Sequence, residues 1–145
     1  MKKFALVGLS GFVAKKHVRC IDQLNGNLIA ALDIHDNVGF VDNFFPNCFF
    51  FNNEKKFFLF LKKRKIDYVV ICSPSYLHFK HIKLSLVSGC NVIVEKPPIL
   101  NLQDFKKIEK LEKRYKKKCH CIFQLREDKR IILLKRKMNF SKNKN

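Results

Sequence analysis

Apolar positions along this chain fall into short runs separated by stretches of helical spacing. Phe4-Ala5-Leu6-Val7 is a run of strand length, and Gly8 behind it lets the backbone double back. Val13, Val18, Ile21 and Leu24 then recur at helical intervals until Asn25-Gly26-Asn27 supplies a stop. Leu28 to Leu32 is a second apolar run, closed by Asp33. The pattern next predicts a short helix over 38–45 ended by Pro46, a strand over 48–51, and a helix over 54–64 capped by Asn53 with Phe57 to Leu61 packed inward. Tyr68 to Cys72 is apolar and β-branched throughout, as a central parallel strand covered on both faces must be. Ser73-Pro74-Ser75 breaks it and starts a helix reaching about Ser88, where Gly89 stops it. A strand over 91–94, a helix from Asn101 to about Lys117 and a strand over 119–123 follow. Ile131 to Lys137 reads as a last helix, and Met138 to Asn145 as a frayed polar tail.

Six strands alternating with helices, on short connections, require parallel pairing through right-handed crossovers. The expected architecture is α/β, a doubly wound parallel sheet of order 3-2-1-4-5-6 over residues 1–126, with 127–145 as an appended helix and tail. Ligands of such sheets sit at the carboxyl ends of the strands, near the switch point between the first and the fourth. Leu9 to Val13, Asp33, Ser73 to His78 and Glu95 to Pro98 all fall on that edge.

The first of these clusters has a defined chemistry. Gly8-Leu9-Ser10-Gly11-Phe12-Val13-Ala14 opens a helix directly after a strand. Gly8 suits backbone angles closed to other residues, Gly11 leaves room for a pyrophosphate, and Ala14 lets helix and strands pack closely. The N–H groups and dipole of the helix start then hold the anion, which makes Gly8, Ser10, Gly11, Phe12 and Val13 candidate cofactor-binding residues. Asp33 follows about where such units place the acid that accepts from a ribose 2′-hydroxyl and repels a 2′-phosphate, favouring NAD over NADP. The spacing is G-x-x-G-x-x-A, and a strand-to-helix turn of another α/β protein stays open on the motif alone.

Composition narrows the classes. The 145 residues fit one domain with a substantial core, being 47% hydrophobic, and no apolar run approaches the roughly 20 residues of a membrane span. The chain opens on a strand and not on a secretion signal, so a cytoplasmic protein is expected. Six scattered cysteines then read as reduced, buried thiols. Cys119-His120-Cys121 and His78-x-x-His81 have no second ligand pair at zinc-site spacing, so no metal is expected. The net charge of +18 invites a nucleic-acid reading. In Lys106 to Lys118, however, Phe105, Ile108, Leu111 and Tyr115 alternate with the lysines, which then form the wet face of an amphipathic helix. With 15 Phe, no Trp and abundant Lys, Asn and Ile, drift toward AT-rich codons accounts for the charge, and only nonspecific attraction of polyanions is expected.

Two local sequences carry a family resemblance. Ile71-Cys72-Ser73-Pro74-Ser75-Tyr76-Leu77-His78 and Val94-Glu95-Lys96-Pro97-Pro98 resemble the paired signature of the glucose–fructose oxidoreductase and inositol dehydrogenase family, a Pro-x-x-x-His turn after the fourth strand and Glu-Lys-Pro after the fifth. Together with Phe4 to Gly8, Ala14 to His17, Leu32-Asp33 and Gln124-Leu125-Arg126, they are similar to those family members that oxidise UDP-N-acetylglucosaminuronic acid at C3 in making bacterial surface polysaccharide.

The resemblance implies NAD as cofactor, Lys96 as the catalytic lysine that helps accept the carbinol proton, and Glu95 on the nicotinamide ribose. It implies Pro97 behind a cis bond, and Ser73 and Pro74 along the adenosine and pyrophosphate. His78 matches the family histidine of the fourth turn, with a structural hydrogen-bonding role equally open; His17 is weighed in the same way. Arg126 is followed by Glu127-Asp128-Lys129 where those dehydrogenases continue with Leu-His-Pro. The family places its substrate sheet, a second catalytic residue and its oligomer interface in a further domain of well over a hundred residues. The expectation is a dinucleotide-binding half with little turnover alone, taking a UDP-sugar where a substrate domain is supplied, by a separate partner chain or within a homo-oligomer. Alternatives are a cofactor-binding module serving a separate partner and a basic nucleic-acid-binding protein on the same scaffold.

Overall fold

The computed structural model describes residues 1–36 and 39–142. Six parallel strands form one sheet in the order β3-β2-β1-β4-β5-β6: β1 (Lys3–Val7), β2 (Asn27–Leu32), β3 (Phe49–Phe51), β4 (Tyr68–Ile71), β5 (Asn91–Val94) and β6 (Cys119–Cys121). Helices connect them: α1 (Ala14–Gln23), α2 (Gly39–Asp42), α3 (Glu54–Lys63), α4 (Ser75–Val87) and α5 (Leu102–Tyr115); α6 (Lys129–Lys142) follows a 3₁₀ turn over Gln124–Arg126.

Strand residues alternate between two buried layers, because successive side chains of a strand point to opposite faces. Ala5, Val7, Val69, Ile71, Val92 and Val94 pack with Phe57, Leu61, Ile82, Leu86 and Ile108 of α3, α4 and α5. Leu6, Leu28, Ala31 and Val70 pack with Ala14, Val18 and Ile21 of α1, and with Val41 and Phe45. Both faces of the central strands are therefore covered, as their unbroken apolar runs require.

Several boundaries differ from the expected ones. Helix α4 starts at Ser75, within the expected Ser73-Pro74-Ser75, and Pro74 stands at its cap with an extended ψ of 143° that holds Ser73 out of the helix. Strand β6 stops at Cys121, after which Ile122 makes one more ladder bond, its N–H donating to the Val94 carbonyl at 3.0 Å, before the chain turns. Residues 138–142 are helical where a frayed tail was expected. The stretch contains no glycine or proline to stop α6, and Asp128 starts it by accepting from the Arg130 N–H at 2.9 Å. The expected helix over 38–45 is seen as α2 from Gly39; residues 37 and 38 and residues 143–145 lie outside the described residues.

Candidate cofactor site

The turn after β1 is fixed by its neighbours before any ligand arrives. The Gly8 N–H donates to the Leu32 carbonyl at 2.8 Å and the Cys72 N–H to the Val7 carbonyl at 2.8 Å, so the ends of β2, β1 and β4 are held side by side. Gly8 has φ +84°, and a Cβ there would lie 2.4 Å from the Ser73 nitrogen. At Gly11 a Cβ would lie 2.6 Å from the Cys72 carbonyl oxygen and 2.9 Å from that of Gly8. The sequence suggests that Gly11 makes room for a phosphate; the structure shows that it first makes room for the end of β4.

The start of α1 is uncapped by any side chain. Among the described residues, the N–H groups of Phe12 and Val13, which precede it, have no hydrogen-bond acceptor. Free donors at a helix start suit a pyrophosphate. Asp33 supplies an acceptor bonded to the same turn. Its Oδ2 accepts from the Ser10 N–H at 2.6 Å and from the Ser10 hydroxyl at 2.7 Å, and its Oδ1 accepts from the His35 N–H at 2.9 Å. Burial works to raise the Asp33 carboxyl, but these donors from His35 and Ser10 outweigh it and hold the group below the usual carboxylate value.

Beside the turn opens a cleft of about 580 Å³, lined among others by Gly8, Ser10, Gly11, Asp33, Ser73 and Pro74. Phe12, 89% exposed, and Val13 are not among the residues that line it; they follow Gly11, which does, at the start of α1. Free donors at the helix start and a carboxylate acceptor bonded to the same turn, beside a cleft of this size, fit a dinucleotide. Lining residues that sequence reasoning did not place on this edge include Ile34, Glu54, Lys80 and His81, whereas Tyr76 falls within the expected Ser73 to His78. Glu54 stands at a helix start behind the carboxyl end of a strand, so the rule that found Asp33 could have found it. His81 bonds Ser73 and Glu54 at once, a juxtaposition that no local signal announces.

The other expected residues gather around the end of β5. Glu95 is buried, and its Oε1 accepts from His17 Nε2 at 2.8 Å. Lys96 is exposed and borders a smaller cleft of about 220 Å³ with Phe123, Gln124, Leu125 and Arg126. The Lys96–Pro97 peptide bond is cis. His78 is 2% exposed and lines neither cleft; its Nδ1 lies 2.7 Å from the Pro97 carbonyl oxygen and its Nε2 2.7 Å from that of Ser73. It therefore bridges the turns after β4 and β5. Burial pushes the thiols of Cys72, Cys48 and Cys119 up to about 12, so these are inert, protonated groups.

Comparison with known proteins agrees with this geometry. A WlbA (WbpB) dehydrogenase from Thermus thermophilus, solved in complex with NAD and UDP-GlcNAcA, is 35% identical and superposes with a TM-score of 0.93 over 96% of this chain and 47% of its own. A WlbA dehydrogenase from Chromobacterium violaceum, solved with NADH and UDP-GlcNAcA, is 25% identical with a TM-score of 0.82, over 95% of this chain and 39% of its own. D-glucoside 3-dehydrogenase of Escherichia coli (strain K12) is 44% identical over 36 residues, 25% of this chain and 10% of that protein. The chain thus spans about half the length, or less, of these relatives. Residues 2–123 match the family model described as the oxidoreductase family with an NAD-binding Rossmann fold, and the chain, with NAD as its cofactor, belongs to that glucose–fructose oxidoreductase, inositol dehydrogenase and MocA family.

Proposed function

We propose that these residues form the NAD-binding unit of a nucleotide-sugar dehydrogenase that oxidises a UDP-linked N-acetylated aminouronic acid for surface-polysaccharide synthesis. The observation that supports it is the 35% identity, across 96% of the chain, to a dehydrogenase solved with both NAD and UDP-GlcNAcA. The N–H groups of Phe12 and Val13 hold the pyrophosphate, Asp33 accepts from the adenosine ribose, and Ser73 and Pro74 floor the cleft between them. When bound, NAD supplies the acceptor for the carbinol hydride. Lys96 Nζ stands at the carbinol hydroxyl and takes part in moving its proton, and Glu95 faces the nicotinamide ribose.

The cleft beside Lys96, about 220 Å³, is smaller than the roughly 300–1,000 Å³ of ordinary ligand sites. A nucleotide sugar needs a further wall to hold its carbinol against Lys96. Phe123 and Leu125, 46% and 65% exposed beside that lysine, offer an apolar footing for one, from a further domain, a separate chain or a second copy. Without the wall, lost positioning forfeits roughly 7–11 kcal/mol of barrier reduction. The test is UDP-N-acetylglucosaminuronate-dependent reduction of NAD by the 145-residue chain, alone and with a substrate-binding half supplied in trans. Binding of NADH without turnover alone, and Lys96-dependent turnover once the half is supplied, is expected. Robust turnover alone, abolished by Lys96→Ala, would show that no further wall is needed; no turnover in either setting would sink the substrate assignment.

A further inference from the structure

The floor of the larger cleft carries a three-residue chain of hydrogen bonds that the proposed reaction does not use. His81 Nε2 lies 2.9 Å from Glu54 Oε1, and His81 Nδ1 lies 2.8 Å from the Ser73 hydroxyl. Glu54 comes from the start of α3, His81 from the second turn of α4, and Ser73 from the end of β4. His81 is 5% exposed and Ser73 is 8% exposed, while the second oxygen of Glu54 is held by the Lys80 ammonium at the rim.

The direction of these bonds follows from what each group can do. An ionised carboxylate only accepts, so His81 Nε2 must carry a proton and donate it. In the neutral imidazole Nδ1 is then the acceptor, and the Ser73 hydroxyl must donate to it. The one proton of that hydroxyl is thereby committed away from the cleft, and Ser73 Oγ turns its lone pairs to the ligand. Burial lowers the His81 pKa, against the pull of Glu54 and with help from Lys80 and His78, which favours the neutral ring that this polarity needs. Lys80, with His81, holds the Glu54 carboxyl below its usual value against its own burial.

We propose that Glu54 and His81 are positioning residues that set the polarity of the Ser73 hydroxyl, making Ser73 Oγ an acceptor for a hydrogen-bond donor on the adenosine side of the dinucleotide. This rests on the NAD-binding reading of the cleft. With Asp33, it gives the cleft two acceptors, which take a ribose hydroxyl or an adenine amine and turn away a phosphate oxygen. Protonation of His81 would reverse the chain. Nδ1 would donate to Ser73, and the serine would present its own proton to a ligand that also donates.

Calorimetric titration of the full chain with NAD, between pH 5 and pH 8, tests this. Ser73→Ala should weaken binding about three- to tenfold at pH 8, the worth of one hydrogen bond, and Glu54→Gln, which frees the tautomer, by a similar factor. The double variant should be no weaker than Ser73→Ala alone, because Glu54 acts through the serine. The parent chain should lose affinity as the pH falls below the ordinary histidine range, about 6.5, and through the lower value of His81, and Ser73→Ala should lose that part of the pH dependence. The pH comparison needs no altered Glu54 and stands even where Glu54→Gln fails to fold. Nicotinamide hypoxanthine dinucleotide, which lacks the amine, separates the two donors: sensitivity to Ser73→Ala persists with it for a ribose hydroxyl and vanishes for the amine. Additive losses in the double variant, or unchanged affinity and pH profile in Ser73→Ala, would overturn the relay. Failure of the parent chain to bind NAD at any pH would instead overturn the dinucleotide reading on which it rests.

Discussion

Asp33 and Ser10 are joined twice, the carboxylate Oδ2 accepting both the backbone N–H and the hydroxyl of the serine at 2.6 and 2.7 Å. With the His35 N–H on Oδ1, three of its roughly four lone-pair sites are used inside the protein. The remaining one faces the cleft as a charged acceptor. A ribose 2′-hydroxyl can donate to it, whereas a 2′-phosphate brings a like charge against it. NADH should therefore bind in preference to NADPH. Asp33→Asn should weaken NADH about tenfold, as the loss of a charge-assisted bond implies, and level the two affinities. Equal affinities in the unaltered protein would remove Asp33 from this role.

The same carboxylate carries a pH dependence of stability. Its folded-state pKa is lowered, so the unfolded chain binds the proton first as the solution is acidified. The stabilisation is complete above about pH 4, the ordinary range of an aspartate, and is lost as the pH falls through the lower folded value. Urea midpoints at pH 3 and pH 6 should differ less in Asp33→Asn than in the parent. An unchanged difference would assign the acid sensitivity to other carboxylates.

Gly11 gives a sharper expectation. A Cβ there would meet backbone oxygens of Cys72 and Gly8 at 2.6 and 2.9 Å, and neither is the end of a flexible side chain. Gly11→Ala should already destabilise the fold by several kcal/mol, before cofactor affinity is considered, since the ends of β1 and β4 must part. At Gly39 an added Cβ meets nothing within 4 Å, so Gly39→Ala should leave the melting temperature within a few degrees of the parent. A Gly11→Ala chain that melts normally but fails to bind NADH would return this glycine to the phosphate alone.

These cases show where the sequence is informative. The sheet is legible because Val69-Val70-Ile71 and its neighbours must be covered on both faces, and the strand order follows from short right-handed connections. Gly8 and Asp33 are legible because a positive φ and a strand-end acid leave local signatures. The reason for Gly11 is not, since its crowding partner, Cys72, stands 61 positions away, just past the end of β4. The bond between Glu54 and His81, and that between His17 and Glu95, join residues 27 and 78 positions apart and exist only once the strand ends are side by side. The helical state of residues 138–142 is not legible, because Met-Asn-Phe-Ser-Lys carries no strong helix signal of its own and continues α6 for want of a glycine or proline stop.

The thiols offer a simple chemical readout. Cys20 is exposed on α1, while Cys72 and Cys90 are buried, with burial raising them to about 12 and about 11. The thiolate is the reactive form, so Cys20 should take up a thiol reagent in the native protein while Cys72 and Cys90 react only on unfolding. Mass spectrometry of the labelled positions reads this directly. Early modification of Cys72 would show that the floor of the cleft opens in solution.

Glu95 and His17 carry the last prediction. Glu95 is 8% exposed, and among the described residues its side chain has no hydrogen-bond partner besides His17 Nε2 at 2.8 Å. A carboxylate in that position loses hydration on folding and recovers it through one donor. Removing the donor leaves the desolvation cost uncompensated, so His17→Ala should lower stability by about 1–3 kcal/mol. His17→Gln, whose amide nitrogen reaches nearly as far as Nε2, should restore part of it. If the loss comes from a stranded charge and not from lost packing of α1, then Glu95→Gln in the His17→Ala background should recover stability, since a neutral amide is less costly to bury. Urea denaturation of the two single variants and the double variant separates the cases. A double variant as unstable as the sum of its parts would show that His17 serves the fold by packing, and that its bond to Glu95 contributes little.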